Sequence, residues 1–120
     1  MGERLRILVV EDEMLVAMNI EDMLLELGHE VAGMAARLDA ALALAGEAQI
    51  DAALLDVNLA GDDSFPVADL LAARGVPFLF ATGYGVQGID ARHRGRPVLQ
   101  KPFRIVDLED AISGLRPPLS

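Results

Sequence analysis

The chain has 120 residues, of which 52% are hydrophobic, 24% charged and 4% aromatic, and it contains no cysteine. That is the length and composition of one globular domain, and it excludes a disulfide framework, cysteine-ligated zinc and a thiol nucleophile. Ten basic and nineteen acidic side chains leave a net charge of −9, which repels phosphate backbones and argues against direct nucleic-acid binding or a basic membrane-surface domain.

No apolar run is long enough for membrane insertion, and the N-terminus lacks a signal-peptide pattern, so a cytoplasmic protein is expected. A β-rich run at 5–10 opens the chain and ends in Glu11 and Asp12. The first helix is expected over 13–27, where Val16, Ile20, Met23, Leu24 and Leu27 recur at helical spacing and Gly28 supplies the stop. A second run at 30–34 precedes a helix over 38–45, and a third at 51–55 ends at Asp56. Ser64 is an N-cap candidate for a third helix that carries Val67, Leu70 and Leu71 and stops at Gly75. The fourth run, 77–81, ends at Thr82. The stretch 83–95 should hold the fourth helix but carries Gly83, Gly85, Gly88 and Gly95. Each interior glycine costs about 1 kcal/mol relative to alanine, so a short or mobile helix is expected there. A fifth run at 97–99 precedes Lys101, and the last helix spans 104–115 with Ile105, Leu108, Ile112 and Leu115 on one face. Residues 116–120 read as a tail, and the chain as a single domain, 1–120, with no output domain.

Five β/α repeats imply an α/β fold, a doubly wound parallel sheet with helices on both faces. A chain this short suits the flavodoxin-like (βα)5 arrangement with strand order 2-1-3-4-5. That order gathers the carboxyl ends of the strands on one rim, with neighbouring strands about 5 Å apart. Glu11, Asp12, Asp56, Thr82 and Lys101 therefore share the rim. Lys101 is the only lysine and Thr82 the only threonine of the chain. Alone, the Glu11-Asp12 pair reads equally well as acidic capping of the first helix. Together, three crowded carboxylates repel, and a hard cation such as Mg2+ relieves the conflict while keeping sites open for phosphate oxygens. Asp56 is placed to accept a phosphoryl group, and Mg2+, Lys101 and the Thr82 hydroxyl would each take one equatorial oxygen.

In these residues the chain resembles the receiver domain of two-component response regulators. The likeness rests on Val9-Val10-Glu11-Asp12-Glu13, Leu54-Leu55-Asp56-Val57-Asn58-Leu59, Ala81-Thr82-Gly83 and Lys101-Pro102-Phe103, in that order. It implies Asp56 as phosphoacceptor, Glu11 and Asp12 as Mg2+-binding acids, and the Asn58 backbone carbonyl completing the metal site. It further implies Thr82 as switch hydroxyl, Lys101 as phosphate partner and a cis Lys101-Pro102 bond. The phosphoryl donor would be a sensor histidine kinase or a phosphotransfer protein. The output would be a conformational change read by a downstream protein target, or simple service as a phosphate sink. Catalysis would extend only to the domain's own phosphorylation and slow dephosphorylation. Residues 77–85, Pro-Phe-Leu-Phe-Ala-Thr-Gly-Tyr-Gly, resemble receivers named for a Phe-Ala-Thr-Gly-x-Tyr motif and linked to kinases of the HWE/HisKA2 type. The chain departs from the common pattern at Val98, where a switch aromatic is usual, and at Ala60, where proline is usual. Tyr84, the only tyrosine, and the glycine-rich segment after it are expected to respond in place of that aromatic.

Two other functions fit less well. A small Mg2+-dependent phosphohydrolase usually carries an aspartate as general acid where this chain has Asn58, which cannot donate that proton. A flavodoxin-like nucleotide- or flavin-binding module needs a phosphate loop after the first strand, where Glu11-Asp12-Glu13 repels phosphate. Gly83, Gly85 and Gly88 match a dinucleotide-binding pattern but follow the fourth strand instead of the first, and read better as a hinge. Met14, Met18 and Leu25, with Ala17 nearby, either extend the core or form a docking strip on the first helix. His29 and His93 lack metal-ligand spacing and read as structural or solvated. Arg92, Arg94 and Arg96 with His93 form a basic patch, either solvated or facing an acidic partner.

Overall fold

The computed structural model describes residues 4–47, 49–83 and 88–115. In chain order the elements are β1 (Arg6–Val10), α1 (Met14–Glu26), β2 (Glu30–Ala35), α2 (Leu38–Glu47), β3 (Ala52–Asp56), β4 (Asn58–Leu59), β5 (Asp62–Asp63), α3 (Phe65–Ala73), β6 (Phe78–Thr82), β7 (Val98–Gln100) and α4 (Ile105–Ser113). The main sheet has five strands in the order β2-β1-β3-β6-β7, and its pairings are all parallel. This is the expected flavodoxin-like α/β order, with a small β4–β5 hairpin inserted after β3.

The sheet is central because its middle strands are apolar on both sides. All five residues of β3 are buried, and so are all five of β6. Alternation divides them between two cores. Leu8, Val10, Ala53, Leu55, Phe78 and Phe80 face the side covered by α2 and α3. Ile7, Val9, Leu54, Leu79 and Ala81 face the side covered by α1 and α4, where Ile20, Leu24, Leu108 and Ile112 close the layer. Each such Leu, Ile or Phe contributes about 1.5–3 kcal/mol by leaving water. Gly33 permits the close packing of β2 on α2, since a Cβ there would lie 3.2 Å from Leu44 Cδ1.

Three local features differ from the sequence reading. Ser64 stands at the α3 N-cap position, but its side chain makes no cap bond and its buried Oγ has no hydrogen-bond partner. The stretch expected to hold a short or mobile fourth helix has no α-helix among the described residues and carries a 3-10 turn at Ala91–His93. Helix formation there must overcome Gly88 and Gly95, the latter at φ 105°. The hairpin was not expected, because two-residue strands made of Asn-Leu and Asp-Asp carry neither periodicity nor β propensity.

Candidate functional site

The strand ends converge as the topology requires. Glu11 follows β1, Asp56 ends β3, Thr82 ends β6, and Lys101 follows β7. Asp56 pairs in register with Ala81, and Thr82 with Gln100, so the four ends are successive neighbours along the rim. Lys101 is fixed there by its backbone N–H, which donates to the Thr82 carbonyl at 2.8 Å.

At the centre lies a cluster of opposite charges. Carboxylate oxygens of Glu11, Asp12 and Asp56 all lie within 4.8 Å of one another. Lys101 Nζ donates to Glu11 Oε1 and sits 3.3 Å from Asp56 Oδ2. Glu11 also accepts the Glu13 backbone N–H at 3.1 Å on Oε2. Glu11 and Asp56 are buried, whereas Asp12 is partly exposed. Burial pushes the Glu11 carboxyl up to about 7, against the pull of the Lys101 ammonium. Burial likewise raises the Asp56 carboxyl, with Lys101 again opposing it. Asp12 moves the other way: burial would raise it, but hydrogen bonds with Asp56 and Glu11 and from the Ala60 N–H hold it below the usual range. The Lys101 ammonium loses water by burial, yet its two acidic partners raise it above an ordinary lysine. One cation thus holds together acids that would otherwise exchange protons, and the site is an all-oxygen donor set of the kind that suits a hard divalent ion.

The response regulator receiver domain family matches residues 7–113. The chain belongs to that family. It is 32% identical over 111 residues to the transcriptional regulatory protein PdtaR of Mycobacterium tuberculosis, covering 89% of this chain and 54% of that protein. It is 35% identical over 112 residues to the phyllosphere-induced regulator PhyR of Methylorubrum extorquens, covering 89% of this chain and 42% of that one. The chain therefore spans about half the length of these curated relatives. The solution structure of SdrG from Sphingomonas melonis Fr1 superposes with a TM-score of 0.85 at 47% identity, covering 96% of this chain and 98% of SdrG. The BeF3-activated conformation of SdrG from Pseudomonas melonis Fr1 gives 0.79 at 48% identity, with 92% and 94% covered.

In this receiver domain the loop after Asp56 closes over the acids. The Asn58 N–H faces Asp56 Oδ1 at 3.4 Å, and the Ala60 N–H donates to Asp12 Oδ2 at 3.0 Å. The Ala60 contact was not legible in the sequence; its only trace was the missing proline at that position. The Lys101-Pro102 peptide is cis. Thr82 is buried at the end of β6. Val98 packs half-buried against the core in the place of the usual aromatic. Tyr84 lies outside the described residues.

The two histidines are buried and bonded, which removes the solvated reading. His29 Nδ1 accepts the Leu5 N–H at 3.1 Å. His93 Nε2 meets Asp69 Oδ1 at 2.8 Å, and its ring packs among Phe65, Phe78 and Phe80. The arginines beside it are engaged within the fold: Arg92 forks onto Asp69 with two 2.9 Å bonds, and Arg96 lies over the Phe78 ring. On α1, Ala17 is core, but Met14, Met18 and Leu25 are exposed and do not extend it. Leu15, Val16, Ile20, Pro102 and Phe103, with Glu13, Asn19 and Lys101, line an open groove on another part of α1.

Proposed function

We propose that this receiver domain accepts a phosphoryl group from a phosphohistidine donor onto Asp56 and signals through the resulting conformational change, or holds the group as a phosphate sink. The observation that carries this reading is the meeting of Lys101 with Glu11 and Asp56 beside Asp12 on the sheet rim. Oxygen ligands at this spacing fit Mg2+, which Glu11, Asp12, Asp56 and the Asn58 backbone carbonyl would hold. Bound there, Mg2+ would supply positive charge to the phosphoryl oxygens.

The chain's own residues account for the rest. An Asp56 carboxylate oxygen bonds to phosphorus while the P–N bond of the donor breaks, its electron pair returning to the imidazole nitrogen. Lys101 keeps Asp56 anionic beforehand and neutralises one phosphoryl oxygen afterwards. The Thr82 hydroxyl donates to another, and its movement toward that oxygen starts the switch, with Tyr84 and the segment after it responding. The run Phe-Ala-Thr-Gly-Tyr-Gly at 80–85 resembles the Phe-Ala-Thr-Gly-x-Tyr motif, and that resemblance supports an HWE/HisKA2-type kinase as donor. The exposed Met14 and Met18 on α1 would meet that donor.

The test is incubation with Mg2+ and acetyl phosphate followed by intact mass measurement. The wild type should gain one phosphate-sized increment, and Asp56→Asn should gain none. An increment retained by Asp56→Asn would overturn the assignment.

A further inference from the structure

We propose that the Ala60 backbone N–H is the positioning group for Asp12, so that the β4–β5 hairpin sets the domain's affinity for a divalent cation. The inference rests on the reading of Asp12 as a metal-binding acid and assigns what holds that acid in place.

Ala60 is, among the described residues, the single non-glycine with positive φ, at 53°. Gly61 follows at φ 99°, and Leu59 pairs with Asp62 across the turn. Positive φ at both turn residues belongs to tight two-residue hairpins, where asparagine or glycine usually takes the first position. An alanine in that conformation is strained and persists only where its surroundings hold it. Two hydrogen bonds hold it. The Gly61 N–H closes onto Asn58 Oδ1 at 2.9 Å, and the strained turn aims the Ala60 N–H at Asp12 Oδ2, 3.0 Å away and 48 residues earlier in sequence. The same hairpin begins with the Asn58 N–H near Asp56 Oδ1. One short hairpin therefore reaches both the phosphoacceptor and the least buried of the three acids.

Asp12 needs such a tether. Glu11 and Asp56 are buried and share Lys101, whereas Asp12 has no ion pair of its own among the described residues. An N–H on one carboxylate oxygen leaves lone pairs on both oxygens for a cation and fixes the rotamer in advance. A proline at this position offers no N–H, and its φ near −65° is incompatible with the turn. The proline usual in related receivers would therefore have to leave Asp12 to some other support.

The decisive variant replaces the Leu59–Ala60 amide by an ester, which removes this one N–H with little change of shape. Mg2+ binding is measured by calorimetry and by the carboxyl carbon shift of Asp12, with thermal denaturation to confirm folding. Loss of a hydrogen bond that orients a ligand costs roughly tenfold or more in metal affinity. The ester and Ala60→Pro should both show that loss, while Ala60→Gly, which keeps the N–H and accepts the turn, should bind within about twofold of wild type. An ester variant that binds Mg2+ like wild type, beside a weakened Asp12→Asn, overturns the role of Ala60 alone. An Asp12→Asn variant with unchanged Mg2+ affinity overturns the metal-binding reading and this inference with it.

Discussion

Glu11 is the acid in which the site's conflict is concentrated. Its carboxyl has no water around it and is raised to about 7 from an ordinary 4.5. Between those two pH values the folded chain holds a proton that the unfolded chain has released. Stability then falls as pH rises through 7 and is recovered on acidification toward 5. Denaturant melts in EDTA should therefore show a higher midpoint at pH 6 than at pH 8, and Glu11→Gln should flatten that difference. Lys101 works from the other side. Its raised pKa keeps it cationic across this range, so its contribution is lost only as pH climbs beyond an ordinary lysine's 10.5. Lys101→Met would leave Glu11 and Asp56 facing each other without a counter-charge, which favours a proton held between them. Phosphorylation by acetyl phosphate should fall by at least about tenfold, since a charge acting on the transferring group is removed. The measure is the rate of mass gain at saturating Mg2+, where retention of the wild-type rate would show that Lys101 is only structural.

The strands and helices that carry these residues were legible because burial leaves a strong signature. Runs such as Ala-Ala-Leu-Leu at 52–55 must be buried on both faces, and Val16, Ile20 and Leu24 could face one core only as a helix. The acids could be placed because a parallel sheet fixes which strand ends are neighbours. What escaped was set by contacts distant in sequence. The β4–β5 hairpin is defined by its bond to Asp12. His93 is defined by Asp69, 24 residues away, and by three phenylalanines that no local pattern connects to it. Those contacts explain how residues 88–96 stay on the sheet without an α-helix. Asp69→Ala would leave the buried His93 Nε2 without its acceptor, at a cost of about 1–3 kcal/mol, while the half-exposed Arg92 pair adds at most about 1 kcal/mol. Urea denaturation should report that loss. Amide exchange should quicken across 88–96 and leave α1 unchanged; uniform quickening would mean that Asp69 supports the whole fold instead of this connection.

The charged rim and the exposed apolar strip of α1 are separate surfaces of the molecule. The charged rim is made by strand ends, while α1 presents Met14 at 75%, Leu15 at 82% and Met18 at 50% exposure, and Leu15 also lines the groove that Lys101 lines. On a chain with net charge −9, an apolar strip is a place where a partner can approach without meeting like charge or stripping water from ions. Flexible methionines adapt to helical surfaces, and α1 starts just after Glu11 and Asp12 of the rim. Met18→Glu adds a charge at a half-exposed helical position, so folding should change by less than about 0.5 kcal/mol. It should slow transfer from a phosphohistidine protein, because docking would bury that charge against an apolar face. Acetyl phosphate needs no docking surface, so its rate should be unaffected. Measuring both rates on the same preparation separates the alternatives. Selective slowing places the donor on α1, equal slowing of the two means that the substitution disturbs the site itself, and no slowing of either places the donor elsewhere.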